Sequence, residues 1–413
     1  MRRLEAQEPW VRRRSNPAPE PVWTDPKGRA IGRPSAVGEG AYGSPWAVRS
    51  LQVANLRSWD RVSLELESGL IVVSGPNGAG KTSLVEAVTL ATIGVSPRTS
   101  REAEAVREGA EALHVSLTLA GPDGEQQREI GFQPGIGRRL RRDGLPVRAL
   151  GDWRVPGAVL VFLPEELRSV KGPPAARRRA IDRLLEGAEP GYSDSLSGYL
   201  SAIAQRNALL RRIRAGVTGV SGLAPWDRAC VELGGTVARA RARAVHDLSG
   251  PFGVWLQALG GGVGGRLVLE PSPSVLADTP FDMLEGHLAE TIERTRERDI
   301  QAAQTLSGPH RDDVWIGTND HDLRRLGSQG EQRTAVLALL LACRDHLALR
   351  TALPIMLLDD VLSELDPARR RLLLQALTGH GQAWVTSADP DAAALAEATG
   401  AAHHLHVEAG RVQ

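Results

Sequence analysis

The sequence predicts an α/β protein: a mainly parallel sheet with helices on its faces, interrupted by a mainly helical second lobe. Three observations carry that expectation. An apolar run, Leu70-Ile71-Val72-Val73, leads through a glycine-rich loop into a helical pattern. A second apolar run, Ile355-Met356-Leu357-Leu358, lies late in the chain and ends in two acids, Asp359 and Asp360. Between them, from about residue 165 to 305, apolar residues recur at helical spacing. Alternating strands and helices of this kind stack as a parallel sheet covered on both faces.

Taken in order, residues 1–47 form a Pro-, Gly- and Arg-rich leader without period, expected to be disordered. Such a leader also arises when a start codon is placed too far upstream. Order is expected from Val48, with a strand around Leu51, Val53 and Leu56 and another through Val62, Leu64 and Leu66. Leu113 to Leu119 and Gln126 to Phe132 read as a hairpin across the turn Gly121-Pro122-Asp123-Gly124. Arg138 to Gly144 reads as a turn carrying four arginines. Val159-Leu160-Val161-Phe162 is a further buried strand, stopped by Pro164, which closes a first head segment over 48–164. Residues 165–305 are expected to be a helical insertion, with helices near 175–185, 193–213, 226–248 and 281–304. No heptad persists there, so a compact lobe is favoured over a coiled coil. The last segment, 306–413, returns to α/β texture, with strands at 314–317, 355–358 and 383–386 and helices at 332–350 and 368–377.

Whole-chain properties narrow the function. With 413 residues, a formal charge of +1 and a pI near 7.9, the chain is long enough for about two domains and is not a globally basic nucleic-acid binder. Its two cysteines, Cys230 and Cys343, show no metal-ligand spacing, which fits a reducing cytosol. No stretch approaches the roughly 20 apolar residues of a membrane helix, and the first residues lack a secretory apolar core. A cytoplasmic protein is expected.

The chemistry centres on Gly75-Pro76-Asn77-Gly78-Ala79-Gly80-Lys81-Thr82. This is the G-x-x-x-x-G-K-[ST] pattern between a strand and a helix, whose backbone N–H groups and helix N-terminus cradle phosphates. Lys81 would reach the β/γ phosphates and the Thr82 hydroxyl would ligate Mg2+. Only Lys27, Lys81 and Lys171 are lysines among 50 basic residues, so an ammonium is retained where it must fit among phosphates. Asp359, at the carboxyl end of a buried strand, points into the ligand crevice as a hard oxygen ligand for Mg2+. Asp360 would polarise the attacking water. Ser328-Gln329-Gly330 opens another helix and forms a second anion-binding end.

The order of these parts resembles the ABC-type ATPase head, with signature motif, Walker B and the D-loop Ser363-Glu364-Leu365-Asp366. Three blocks narrow the resemblance to the RecF family of recombination-mediator ATPases, relatives of SMC and Rad50 heads: Ser328 to Thr334, Leu306 to Asp313 and Leu357 to Asp366. So do Phe162 to Leu167, Lys171-Gly172-Pro173-Pro174 with Arg178-Arg179, and Gln205-Arg206-Asn207. The resemblance runs from about residue 48 to the end. From Thr82 to Ser328 is 328 − 82 = 246 residues, too few for an SMC-type coiled coil and more than a transporter subunit carries.

The resemblance implies an ATP-dependent homodimer that binds single-stranded and gapped duplex DNA without sequence preference and hydrolyses ATP slowly. Gly75 to Thr82 of one subunit would hold ATP while Ser328 and Gly330 act in trans from the other. It also implies a nucleotide-proximal role for Arg57, and RecR, with RecO beyond it, as partners in gap repair and the SOS response. Asp360 stands where most ABC ATPases carry Glu, and no switch histidine follows Val385, where Thr386-Ser387 stand instead. Lys171, Arg177, Arg178, Arg179 and Arg183, with the Arg138–Arg142 turn, are the candidate DNA surface. The rival readings are a small-molecule phosphotransferase on the same loop and an ATP-binding module without hydrolysis.

Overall fold

The computed structural model describes residues 44–99, 101–260, 264–275, 279–318, 321–389, 391–398, 402–408 and 410–413. Most of the expected leader, residues 1–43, lies outside them. Trp46, which the composition places in that leader, is buried and donates its backbone N–H to Leu353 O, because its ring packs on Gly121.

β1 (Ala47–Leu56) and β2 (Trp59–Glu65) form a hairpin, and β3 (Leu70–Ser74) leads into α1 (Lys81–Ile93). β4 (Leu113–Gly121), β5 (Gly124–Gln133), β6 (Gly137–Arg142) and β7 (Leu145–Val147) extend the antiparallel sheet in the order β2-β1-β4-β5-β6-β7. The Arg138–Arg142 segment is therefore a strand rather than a turn, the reversal falling at Asp143-Gly144, where both residues have positive φ. A short α2 (Leu150–Trp153) precedes β8 (Val159–Phe162).

The helical part comprises α3 (Arg168–Lys171), α4 (Pro174–Ala188), α5 (Tyr192–Arg214), α6 (Ala224–Ala258) and α7 (Leu284–Ala302). α6 continues through Pro251, and Gly234 lets Tyr199 and Leu288 approach its backbone from α5 and α7. The strand expected at 314–317, β10 (Asp313–Gly317), does not join the parallel sheet. It pairs antiparallel with β9 (Arg266–Glu270) as a separate ribbon against α6.

α8 (Gln329–Arg350), β11 (Ile355–Leu358), α9 (Pro367–Leu377), β12 (Ala383–Ser387), α10 (Asp391–Glu397), β13 (Ala402–Glu408) and β14 (Arg411–Val412) complete the chain. The central sheet runs β14-β13-β3-β12-β11-β8, with β13, β3, β12, β11 and β8 mutually parallel. β3 shows why its run is continuously apolar. Leu70 and Val72 enter a core shared with the helical part, while Ile71 and Val73 enter one shared with α1 and the antiparallel sheet.

Buried ion pairs tie the helical part together and to the returning chain. Arg206, fully buried, joins Asp227 and Asp299, and Arg241 joins Asp182 and Asp312. Arg177 clasps Asp313 through Nε and Nη2 at 2.6 and 2.7 Å. Removing either partner of such a pair strands a charge in the core, so these arginines specify the packing. Arg177 consequently cannot belong to the DNA surface expected of it. Arg178 is half-buried and donates to Asp312 O, and Arg183 is engaged by Glu166. α4 turns Arg177 and Arg178 toward Asp313 and the Asp312 carbonyl, more than 100 residues away in sequence, while Arg179 and Arg183 stay exposed.

Candidate functional site

The loop after β3 curls through three glycines of positive φ, Gly75, Gly78 and Gly80, before α1 begins at Lys81. Gly80 is the N-cap, and no side chain caps this helix, so its first N–H groups are directed into the loop. Trp59 is buried behind the loop and donates Nε1–H to Gly80 O at 3.0 Å. Its surroundings are those of a packing residue that also braces the loop.

Lys81 folds back over the loop and donates to Gly75 O and Pro76 O at 2.7 and 2.9 Å. Desolvation lowers its pKa, opposed by the charges of Asp360 and Asp359. Thr82 donates its hydroxyl to both Asp359 oxygens at 2.9 Å. β11 delivers Asp359 to this position because its backbone N–H is paired with Phe162 O on β8. The Asp359 carboxylate is 5% exposed and makes no ion pair among the described residues. A buried carboxylate beside a hydroxyl is a hard-oxygen set that fits Mg2+.

Thr386, at the end of β12, stands where a switch histidine is lacking, and nothing in the sequence assigns it a partner. Its Oγ1 donates to Asp359 Oδ1 at 2.6 Å and accepts from the Asp360 N–H at 2.9 Å. It thereby fixes both acids where a switch histidine is lacking. Asp360 sits at φ 48°, a conformation that costs a non-glycine residue about 1–3 kcal/mol. Its Oδ1 is buried without a hydrogen-bond partner. Strain and an unpaired carboxylate oxygen together mark a functional position.

Arg57 is held away from a simple phosphate-contacting role. Its guanidinium grips the fully buried Glu86 of α1 at 2.8 and 2.9 Å, which also accepts from Ser96 Oγ. Arg57 therefore anchors the β1–β2 turn, and with it Trp59, to α1.

Behind the loop, β13 contributes a feature that its composition hides. Ser74 Oγ lies 2.7 Å from His404 Nε2 and 3.1 Å from His406 Nδ1, while Val407 O closes against Gly75.

Ser328 caps α8 in a reciprocal capping box. Its Oγ accepts from the Glu331 N–H, and Glu331 Oε2 accepts from the Ser328 N–H at 2.8 Å. No hydrogen bond among the described residues joins Ser328 or Gly330 to Gly75–Thr82. Thus the fold brings Lys81, Thr82, Asp359 and Asp360 together in one chain, while Ser328 and Gly330 share no hydrogen bond with Gly75–Thr82 among the described residues. His310 is bonded to Tyr199 OH and Thr305 O, and burial pushes it down to about 4, the pattern of a neutral structural histidine.

A family model described as an AAA domain matches residues 50–154. The DNA replication and repair protein RecF of Leptospira interrogans is 32% identical over 345 residues, covering 83% of this chain and 92% of that protein. A solved structure of the recombination mediator protein RecF with ATP in the RecFOR pathway aligns with TM-score 0.79 and 26% identity, over 91% of this chain and 99% of that one. An Smc head bound to the C-winged helix domain of ScpA aligns with TM-score 0.54 and 15% identity, over 89% of this chain and 96% of that one. That last likeness is one of fold alone.

Proposed function

The chain belongs to the RecF family of DNA replication and repair proteins, and from that membership we propose that it is an ATP-gated dimeric DNA clamp acting in recombinational gap repair. Its head has the ABC-type ATPase fold shared with RecF and SMC heads. The observation that carries the proposal is the division of the site. Lys81, Thr82, Asp359 and Asp360 converge within one chain, whereas the hydrogen bonds of Ser328 stay within the first turn of α8.

A second copy offering Ser328 and Gly330 to the γ-phosphate completes such a site. ATP then binds the closed dimer better than the open one, and its hydrolysis weakens the contact and releases DNA. Thr82 and Asp359 would hold Mg2+, which would supply neutralisation of phosphate charge. The chain's own groups do the rest. Lys81 leaves its loop carbonyls for the phosphates, Thr386 keeps both acids in register, and Asp360 orients the attacking water. Turnover is slow because the Asp360 carboxylate stands one methylene short of the usual Glu, and the family resemblance adds its dependence on DNA.

DNA binding is non-specific and salt-sensitive. After the loss of Arg177 and Arg178 to internal contacts, the proposed surface comprises Arg139 and Arg141 on β6 with Lys171, Arg179 and Arg183, all exposed, Arg183 being paired at the surface with Glu166. The family resemblance adds RecR, and through it RecO, as partners in the cytoplasm. No helix among the described residues is long and apolar enough to cross a membrane.

Light scattering with and without ATP and gapped DNA tests the reading. The wild type should double in mass with ATP, and Ser328→Arg should stay monomeric while still binding ATP. A wild type that remains monomeric at saturating ATP and DNA overturns it.

A further inference from the structure

The N-terminus of α8, offered to a second copy in the reading above, and the D-loop before α9 are separate in sequence. Arg369 lies between them. Its Nη1 donates to Asp366 Oδ2 at 2.6 Å, and its backbone N–H donates to Asp366 Oδ1 at 3.0 Å, the N-cap contact of α9. On its other side the same Nη1 faces α8, standing 3.6 Å from where a Cβ on Gly330 would lie. Its Nε is buried without a hydrogen-bond partner. The guanidinium is therefore a rigid fork, held at one end and with a donor in reserve.

We propose that Arg369 is a positioning residue for the trans half of the ATP site, locking the D-loop to the signature helix so that both meet the partner's nucleotide as one unit. The inference rests on the two-copy reading above. Two features support the coupling. Arg369 stands beside Gly330, its Nη1 within ordinary van der Waals range of where a Cβ there would lie, so the guanidinium lies against the first turn of α8. Its charge also reaches both elements. Burial alone would raise the Asp366 carboxyl, yet hydrogen bonds and charge from Arg369 hold it below the usual carboxylate range. Glu331, the capping-box partner of Ser328, is held low first by its bonds to Ser328, with a smaller contribution from Arg369.

Because Arg369 serves the trans half only, its loss separates two properties that a folding defect would change together. Nucleotide binding by the monomer uses Gly75 to Thr82 and is unaffected, whereas ATP-driven association weakens. The experiment compares wild type, Ser328→Arg, Arg369→Ala and Arg369→Lys by light scattering across protein concentration with ATP. A fluorescent ATP analogue, titrated at concentrations where all four are monomeric, reads the cis site.

For Arg369→Ala, losing a charged hydrogen bond should raise the protein concentration for half-association about tenfold, with monomer affinity within about twofold of wild type. Arg369→Lys keeps an ion pair to Asp366 without the fork and should fall between. If the wild type and Ser328→Arg behave as expected but Arg369→Ala associates like the wild type, Arg369 has no such role. If the wild type itself fails to associate, the two-copy reading fails instead. Should Arg369→Ala not fold, Arg369→Lys decides: association equal to wild type overturns the proposal.

Discussion

Replacing Gly75 with alanine adds a single methyl at the entrance of the phosphate loop, and the fold makes its effect calculable. The new Cβ would lie 2.0 Å from Val407 O on β13, at a residue whose φ is 146°. Non-bonded contacts with carbon become comfortable near about 3.5 Å, so the loop or β13 must retreat by roughly 1.5 Å. The conformation itself costs an L-residue about 1–3 kcal/mol. A displacement of about 1 Å in a positioned site typically costs about 10²-fold. ATP affinity should therefore fall about a hundredfold, or about 2.7 kcal/mol. Gly78 is the internal control, with φ 80° and nothing within 4 Å of an added Cβ. Its alanine variant suffers only the left-handed strain of about 1–2 kcal/mol, so its affinity should fall no more than about thirtyfold. Titration of a fluorescent ATP analogue, with melting followed by circular dichroism, measures both. Binding by Gly75→Ala as tight as that of Gly78→Ala would refute the argument that β13 clamps the loop.

Three further outcomes follow from the same geometry. Asp360→Asn keeps a residue tolerant of left-handed φ, so ATP should still bind while phosphate release falls about 10²-fold or more; unchanged release removes Asp360 as the residue that orients water. Arg57→Ala leaves the buried Glu86 carboxylate with Ser96 and a longer contact to Arg98 at 3.4 Å. It should destabilise the head by about 2–3 kcal/mol, somewhat below a fully orphaned pair. Adding Glu86→Gln should recover part of that loss in denaturant melts, and a double variant weaker than the single contradicts the pairing. His310, held down to about 4 by burial against a usual value of 6.5, stays neutral in the fold while the unfolded chain takes up a proton below about 6.5. Stability should be fully present above that pH and decline by up to about 3 kcal/mol as pH falls toward 4. His310→Asn should flatten the slope, and equal slopes would show that His310 does not set it.

What was legible in the sequence was what neighbouring residues determine. The loop 75–82 and the apolar strands at β3, β8 and β11 announce themselves locally, because each is buried on both faces or carries its own glycines. What was hidden depends on distant partners. β9 is a five-residue strand whose only partner, β10, follows a long helix, so nothing nearby distinguishes it from loop. β13 carries His403, His404 and His406 where an apolar run would be expected, since its register places imidazoles on Ser74 rather than in a core. The arginines of α4 have the composition of a solvated basic face. Arg177 finds Asp313 across 136 residues, and only the fold separates an internal clasp from an open surface. Thr386 is an unremarkable residue until the register of β12 beside β3 and β11 sets it between two acids.

That last placement explains why the end of β12 can work without a histidine. Thr386 Oγ1 has one proton, and it is given to Asp359, leaving the oxygen to accept from the Asp360 backbone. The hydroxyl is thus fully committed within the chain and cannot donate to a phosphate without releasing Asp359. Asp359 is also bound by Thr82, so a pull on either hydroxyl is felt at the same carboxylate. The metal-side acid, the water-side acid and the end of α1 therefore form one linked unit that responds together to the γ-phosphate region. Asp360 alone retains an unpaired buried oxygen and a strained backbone within that unit. A ligand that donates a hydrogen bond to this oxygen relieves a cost the fold already bears.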